Sequence, residues 1–138
     1  MRHRKWDRKL GRSGSHREAL IASLVSSLVL RKRIKTTLPK AQEARRLAEK
    51  MVTIARGGSV GSRRDVMAVL RQPEAARALV KDIAPQFASR PGGYTRIVKL
   101  GEYRVGDGTE LALLEWVGIA VPEPQRKKKQ APEKKAAA

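Results

Sequence analysis

The chain contains no cysteine. A disulfide framework and a thiolate metal site are both excluded, and the composition fits a reducing compartment. Only two histidines are present, His3 and His16, both set among basic residues. A histidine-built zinc site or a Ser-His-Asp triad has almost nothing to draw on. Aromatic residues make up 4%, so aliphatic side chains must do most of the packing. No run approaches the roughly eighteen apolar residues that a membrane-spanning helix needs. The stretch from Ala19 to Leu30 comes nearest, but Ser23, Ser26 and Ser27 interrupt it. The basic start lacks the apolar core and cleavage site of a signal peptide, so the expected location is cytoplasmic.

Acidic residues are the other scarcity. Thirteen Asp and Glu face thirty-one Lys and Arg, leaving a formal charge of +18 over 138 residues. A field of that size repels itself, and a polyanion partner is its usual neutraliser. The excess is uneven. Residues 1–17 hold seven Lys/Arg and one acid, giving +6, and residues 121–138 hold six and two, giving +4. More than half of the charge thus lies in about a quarter of the chain. The pattern predicts a small folded body with basic extensions: an arm at 1–14, an α+β domain at 15–118 and a low-complexity tail at 119–138. The tail, rich in Pro, Lys, Glu, Gln and Ala, is too polar to bury a core and reads as disordered. Its Arg126–Lys129 cluster is either a loose polyanion contact or simply solvated.

Residues 1–14 show no period of 2 or 3.6 and read as an extended arm. Ser15 and Glu18 have capping-box spacing, predicting a helix that opens at Ser15. Its apolar stripe is Leu20, Ile21, Leu24, Val25 and Leu28. Arg31–Thr37 predicts a short basic strand. Thr37 then caps a second helix with Pro39 in its first turn, striped by Ala44, Leu47, Ala48, Met51 and Ala55 and stopped by Gly57-Gly58. Glu43, Arg46, Glu49 and Lys50 fall on the solvent side of that helix. A third helix spans Ser62–Arg71. A fourth begins at Pro73 and closes at Pro85, striped by Ala76, Leu79, Val80 and Ile83. Tyr94–Leu100 and Thr109–Val117 read as strands separated by a loop holding Gly101, Gly106 and Gly108. The expected fold is an α+β, two-layer αβαααββ domain with helices packed on a small three-stranded mixed sheet.

Two stretches carry the candidate chemistry. In the arm, cations surround Trp6, His3 and His16. Arginine forks bind phosphate bidentately, and flat rings accept unstacked bases. The alternative is a solvated basic segment. In Arg90-Pro91-Gly92-Gly93-Tyr94-Thr95-Arg96 a tight turn feeds a strand, bringing Arg90 and Arg96 near one another with two hydroxyl donors between them. That is either a phosphate-contact loop or a plain turn with surface arginines. Neither G-x-G-x-x-G nor G-x-x-x-x-G-K-[ST] occurs. The acids are scattered and read mostly as surface partners of nearby cations, Glu102, Glu110 and Glu115 among them, and Asp107 between two glycines reads as a turn residue. No catalytic residue, metal ligand, cofactor or small-molecule substrate is expected.

The opening M-R-H-R-K, R-K-L-G-R at Arg8–Arg12, S-H-R at Ser15–Arg17, R-I-K-T-T-L-P-K-A at Arg33–Ala41 and R-P-G-G-Y-T-R at Arg90–Arg96 stand in one order. In that order they resemble bacterial large-subunit ribosomal protein seventeen, over most of the chain. The resemblance implies a ribosome-bound structural protein that contacts 23S rRNA and neighbouring large-subunit proteins near the peptide tunnel exit. The contacts expected from the residues and the resemblance together fall in three groups. The arm offers Arg2, His3, Arg4, Lys5, Trp6, Arg8, Lys9, Arg12, Ser15, His16 and Arg17. The first strand offers Arg33, Lys35, Thr36 and Thr37, and the turn offers Arg90, Gly92, Gly93, Tyr94, Thr95 and Arg96. Trp6-Asp7 departs from the family pattern. Composition alone equally suits a nonspecific, nucleoid-type nucleic-acid-binding protein, although no basic helix is patterned for a major groove.

Overall fold

A computed structural model of the protein describes residues 8–121. Arg2, His3, Arg4, Lys5 and Trp6, and the tail from residue 122 onward, lie outside the described residues. The elements run α1 (Gly14–Arg31), β1 (Arg33–Thr37), α2 (Leu38–Ala55), α3 (Val60–Leu70), α4 (Pro73–Ala78), β2 (Thr95–Tyr103) and β3 (Glu110–Trp116). The three strands lie in the order β1-β3-β2, with both pairings antiparallel. The expected α+β class and element order hold, but the sheet is wholly antiparallel rather than mixed. β3 arrives last and inserts between β1 and β2, so the two strands that run in the same direction never touch.

Helix α1 starts at Gly14 with Ser13 as its cap residue, and no side-chain capping bond forms. The expected Ser15–Glu18 capping box is therefore absent. The helix begins one residue earlier, where the Arg17 N–H reaches the Ser13 carbonyl at 2.9 Å and leaves Ser15 inside the first turn. Its buried face is Ala22, Val25, Ser26, Leu28 and Val29, turned away from the expected Leu20 and Ile21. Ser26 can be buried because its hydroxyl bonds the Leu70 carbonyl at 3.5 Å. Lys32 ends the helix in the left-handed conformation, its N–H bonded to the Leu28 carbonyl. The chain then turns straight into β1.

Along α2, Ala41, Ala44, Ala48, Met51, Val52 and Ala55 are buried. Small alanines at this spacing let the helix approach its neighbours closely. Glu43 is a correction: it is buried, with Arg46 beside it at 3.5 Å, rather than on the solvent side. Glu49 is half-buried and accepts from Thr95 at 3.1 Å. α3 is capped by the Ser59 hydroxyl, which accepts from the Ser62 N–H at 3.0 Å.

The fourth helix does not close at Pro85. After Ala78 it widens into a π-helical turn over Leu79–Ile83 and tightens into a 3₁₀ turn over Ala84–Phe87. Proline has no N–H to donate and crowds the carbonyl four residues back. Here the Ala84 N–H reaches five residues back to Leu79, and the Gln86 side chain bonds the Asp82 carbonyl at 2.7 Å. The backbone is accommodated rather than broken. Gly101 is likewise not in a loop. It sits inside β2 with φ +68°, where the register shifts between Lys99 and Tyr103.

Three of the few aromatics meet in the core. The Phe87 ring centroid is 5.2 Å from Tyr94 and 6.1 Å from Trp116. The buried Trp116 indole N–H donates to the Leu28 carbonyl at 3.1 Å, tying the central strand to the end of α1. Each such ring removes more apolar surface from water than any aliphatic neighbour can.

Candidate nucleic-acid interface

The register places Arg33, Glu115 and Arg96 in one row across the sheet, on the face opposite buried Ala112, Leu114 and Trp116. Glu115 occupies the middle strand, so its carboxylate meets one arginine from each edge. Both guanidinium Nε groups lie 2.5 Å from it, Arg33 on one oxygen and Arg96 on the other. The Glu115 side chain is 3% exposed, whereas those of Arg33 and Arg96 are 43% and 63% exposed. Burial pushes the carboxyl pKa up, but the two arginines outweigh it and hold the net value below the usual carboxylate range. Its scattered position in the sequence predicts a surface partner of a nearby cation for Glu115. It is instead the buried centre of a two-arginine clamp.

Pairing continues along the same strands. Lys35 lies 2.5 Å from Glu102 and Lys99 lies 3.6 Å from Glu110. Arg104 pairs with Asp107 in the β2–β3 turn, where Asp107 also accepts from the Thr109 N–H. The arginine and the threonine together hold the Asp107 carboxyl far below the ordinary carboxylate range. Asp107 is thus the turn residue its flanking glycines imply. Thr36 is half-buried, and Thr37 is buried at the cap position of α2 without a side-chain capping bond.

The turn at 90–96 is held from α2. The Arg56 guanidinium donates to the carbonyls of Ala88 at 2.7 Å and Arg90 at 3.0 Å, and to the Tyr94 hydroxyl at 2.9 Å. Tyr94 and Thr95 are buried and face inward; the Thr95 hydroxyl goes to Glu49. Neither presents a hydroxyl donor at the surface. A hydrogen bond with Thr53 lowers the Tyr94 pKa, burial opposes it, and Arg56 lowers it further. Gly93 takes φ +63°, which a side chain would strain. Arg90 and Arg96 are both exposed; the Arg90 Nε bonds the Gly92 carbonyl at 3.2 Å and the Arg96 Nε bonds Glu115. Sequence reasoning missed Arg56. It stands outside every matching block, and its only signal is its place just before Gly57-Gly58.

Residues 8–13 are not extended throughout. Leu10 and Gly11 both have positive φ, the Arg12 N–H bonds the Lys9 carbonyl at 3.1 Å, and the Arg12 guanidinium bonds the Leu10 carbonyl at 2.7 Å. Arg17 reaches back to the Arg8 carbonyl at 3.4 Å, so α1 holds this turn. Arg8, Lys9, Ser15 and His16 are exposed, and Arg12 is half-buried.

These features define a class: a basic α+β domain whose sheet cations are matched by its own acids and whose Arg8, Lys9 and Arg90 are exposed. The chain belongs to the ribosomal protein L17 family, whose model matches residues 20–117. It is 48% identical over 131 residues to the large ribosomal subunit protein bL17 of Methylacidiphilum infernorum (isolate V4), covering 95% of this chain and 99% of that one. It is 44% identical to the bL17 of Syntrophobacter fumaroxidans (strain DSM 10017 / MPOB), covering 96% and 87%. The bL17 of Desulfosudis oleivorans (strain DSM 6200 / JCM 39069 / Hxd3) is also 44% identical, over 99% of this chain and 64% of that one.

Proposed function

We propose that the chain is a structural component of the bacterial large ribosomal subunit that binds 23S rRNA near the peptide tunnel exit, beside neighbouring ribosomal proteins. The observation that carries this reading is the near full-length match to proteins named for that subunit. The family is one of structural, non-enzymatic ribosomal components. The +18 charge supports a polyanion partner.

Basic residues 1–17 act as the principal anchor, with Arg90 contacting phosphate from the turn braced by Arg56. Arg33 and Arg96 each give only Nε to Glu115, so the remaining guanidinium donors can still reach rRNA. If the seven cations of residues 1–17 each meet one phosphate, the logarithm of the association constant falls by about five per decade of salt.

Sedimentation of a lysate through a high-salt sucrose gradient tests the assignment. Retention in the large-subunit peak is the expected result. Release to the top of the gradient, together with equal affinity for random duplex DNA and 23S rRNA, would identify a nucleoid-type binder instead.

A further inference from the structure

Among the described residues, the cations of the sheet are matched by acids, but three on the α3–α4 flank are not. A cleft of about 300 Å³ between α3 and the α4 turn is lined by Arg63, Met67, Ala76, Arg77, Val80 and Lys81. Arg63 and Met67 stand one turn apart on α3, as Arg77 and Lys81 do across the α4 turn, so three cations share the cleft with an apolar floor of Met67, Ala76 and Val80. Ala76 is buried, and Met67 and Val80 are half-buried against the core. No acid lines the cleft. Asp65, Glu74 and Asp82 belong to the same segments but are not among its lining residues. Among the described residues, Arg63, Arg77 and Lys81 make no side-chain hydrogen bond or ion pair.

We infer that this cleft is a second RNA-binding site, taking the phosphates of a single-stranded stretch on Arg63, Arg77 and Lys81 and an unstacked base on the apolar floor. Three unneutralised cations beside a small apolar surface match a nucleotide in both parts. Phosphate takes the charge, and a base covers the floor with its flat face. None of the five sequence blocks includes these residues, and no described residue of the arm or of the 90–96 turn lines the cleft. The inference rests on the reading of the chain as an RNA-binding protein.

The test uses the full chain, a 23S rRNA transcript and the variant R63Q/R77Q/K81Q, with binding measured across a salt series. The variant is expected to keep its melting temperature and to lose about two log units of slope per decade of salt, near 0.7 for each contact. Amide exchange in 63–67 and 76–81 is expected to slow when transcript is added to the wild-type chain. An unchanged slope with no protection there, while the wild-type chain binds the transcript, overturns the cleft and leaves the ribosomal reading standing. Protection there by poly-glutamate but not by transcript identifies an acidic-peptide site and overturns the RNA site. Failure of the wild-type chain to bind the transcript at any salt overturns both.

Discussion

The sheet and the α3–α4 flank carry the same kind of charge in opposite states. On the sheet, Arg33, Lys35, Arg96 and Lys99, with Arg104 in the β2–β3 turn, each have an acid within ion-pair distance, and one of those acids is buried. On the flank, Arg63, Arg77 and Lys81 surround apolar side chains and have no such partner among the described residues. A cation paired at home contributes to folding and has less net attraction left for a distant polyanion. An unpaired cation gains no such attraction on folding, adds to the self-repulsion of the chain, and keeps its attraction for a polyanion. Counting cations therefore says little about where a polyanion sits; the location of the acids decides that.

Deleting charge from the two regions should give opposite results. R33A/R96A strands the buried Glu115 carboxylate without a partner and is expected to cost about 3 kcal/mol of unfolding free energy by urea titration. A loss under about 0.5 kcal/mol would mean that the clamp is decorative. Glu115→Gln keeps the shape and removes the charge, and is expected to cost about 2 kcal/mol at pH 7. Its cost should depend on pH. The folded carboxyl titrates below its unfolded value, so its contribution is fully present above the unfolded pKa of about 4.3 and is lost as pH falls through the folded one. Wild-type and variant stabilities are thus expected to converge below about pH 4; a gap that stays constant down to pH 3 would contradict this. Arg56→Ala releases the 88–94 turn and is expected to cost about 1 kcal/mol, with faster amide exchange at Arg90 and Gly93. Arg56→Lys, which cannot span three acceptors with the same fork, should restore less than half. Smallest of all, R63A/R77A on the flank should change stability by less than about 0.5 kcal/mol, and a loss like that of R33A/R96A would erase the contrast.

Much of the architecture is visible in the residues. The spacing of Ala44, Ala48, Met51 and Ala55 places α2, and Ala76, Leu79 and Ile83 mark the segment after Pro73. The order of helices and strands follows from where the period changes. The misses share one cause. Ser15–Glu18 has capping-box spacing, but Ser13 starts the helix. Pro85 signals an end, but the chain widens ahead of it and continues. Gly101 signals a loop, but it occupies a bulge. A local motif names what its residues can do, and packing several residues away selects among the options. The candidate interface divides the same way. Arg90 and the exposed Arg8, Lys9 and His16 stand where a surface contact requires, whereas Tyr94 and Thr95, in the same block, face the core.

A basic α+β domain without cysteine is legible in the residues alone, and the five ordered blocks point to the family. Composition and short-range spacing suffice for that, because helix stripes and strand alternation depend on neighbours within a few residues. Which cations have an acid beside them depends on the folded arrangement. Glu115 lies 82 residues from Arg33 and 19 from Arg96, and antiparallel pairing on both sides of β3 is what brings the three together. Arg56 meets the 88–94 turn across more than thirty residues, and Arg63 joins Arg77 and Lys81 only because α3 folds back against the α4 turn. Coulomb energy depends on distance in space and on exposure to water, and neither can be read along the chain.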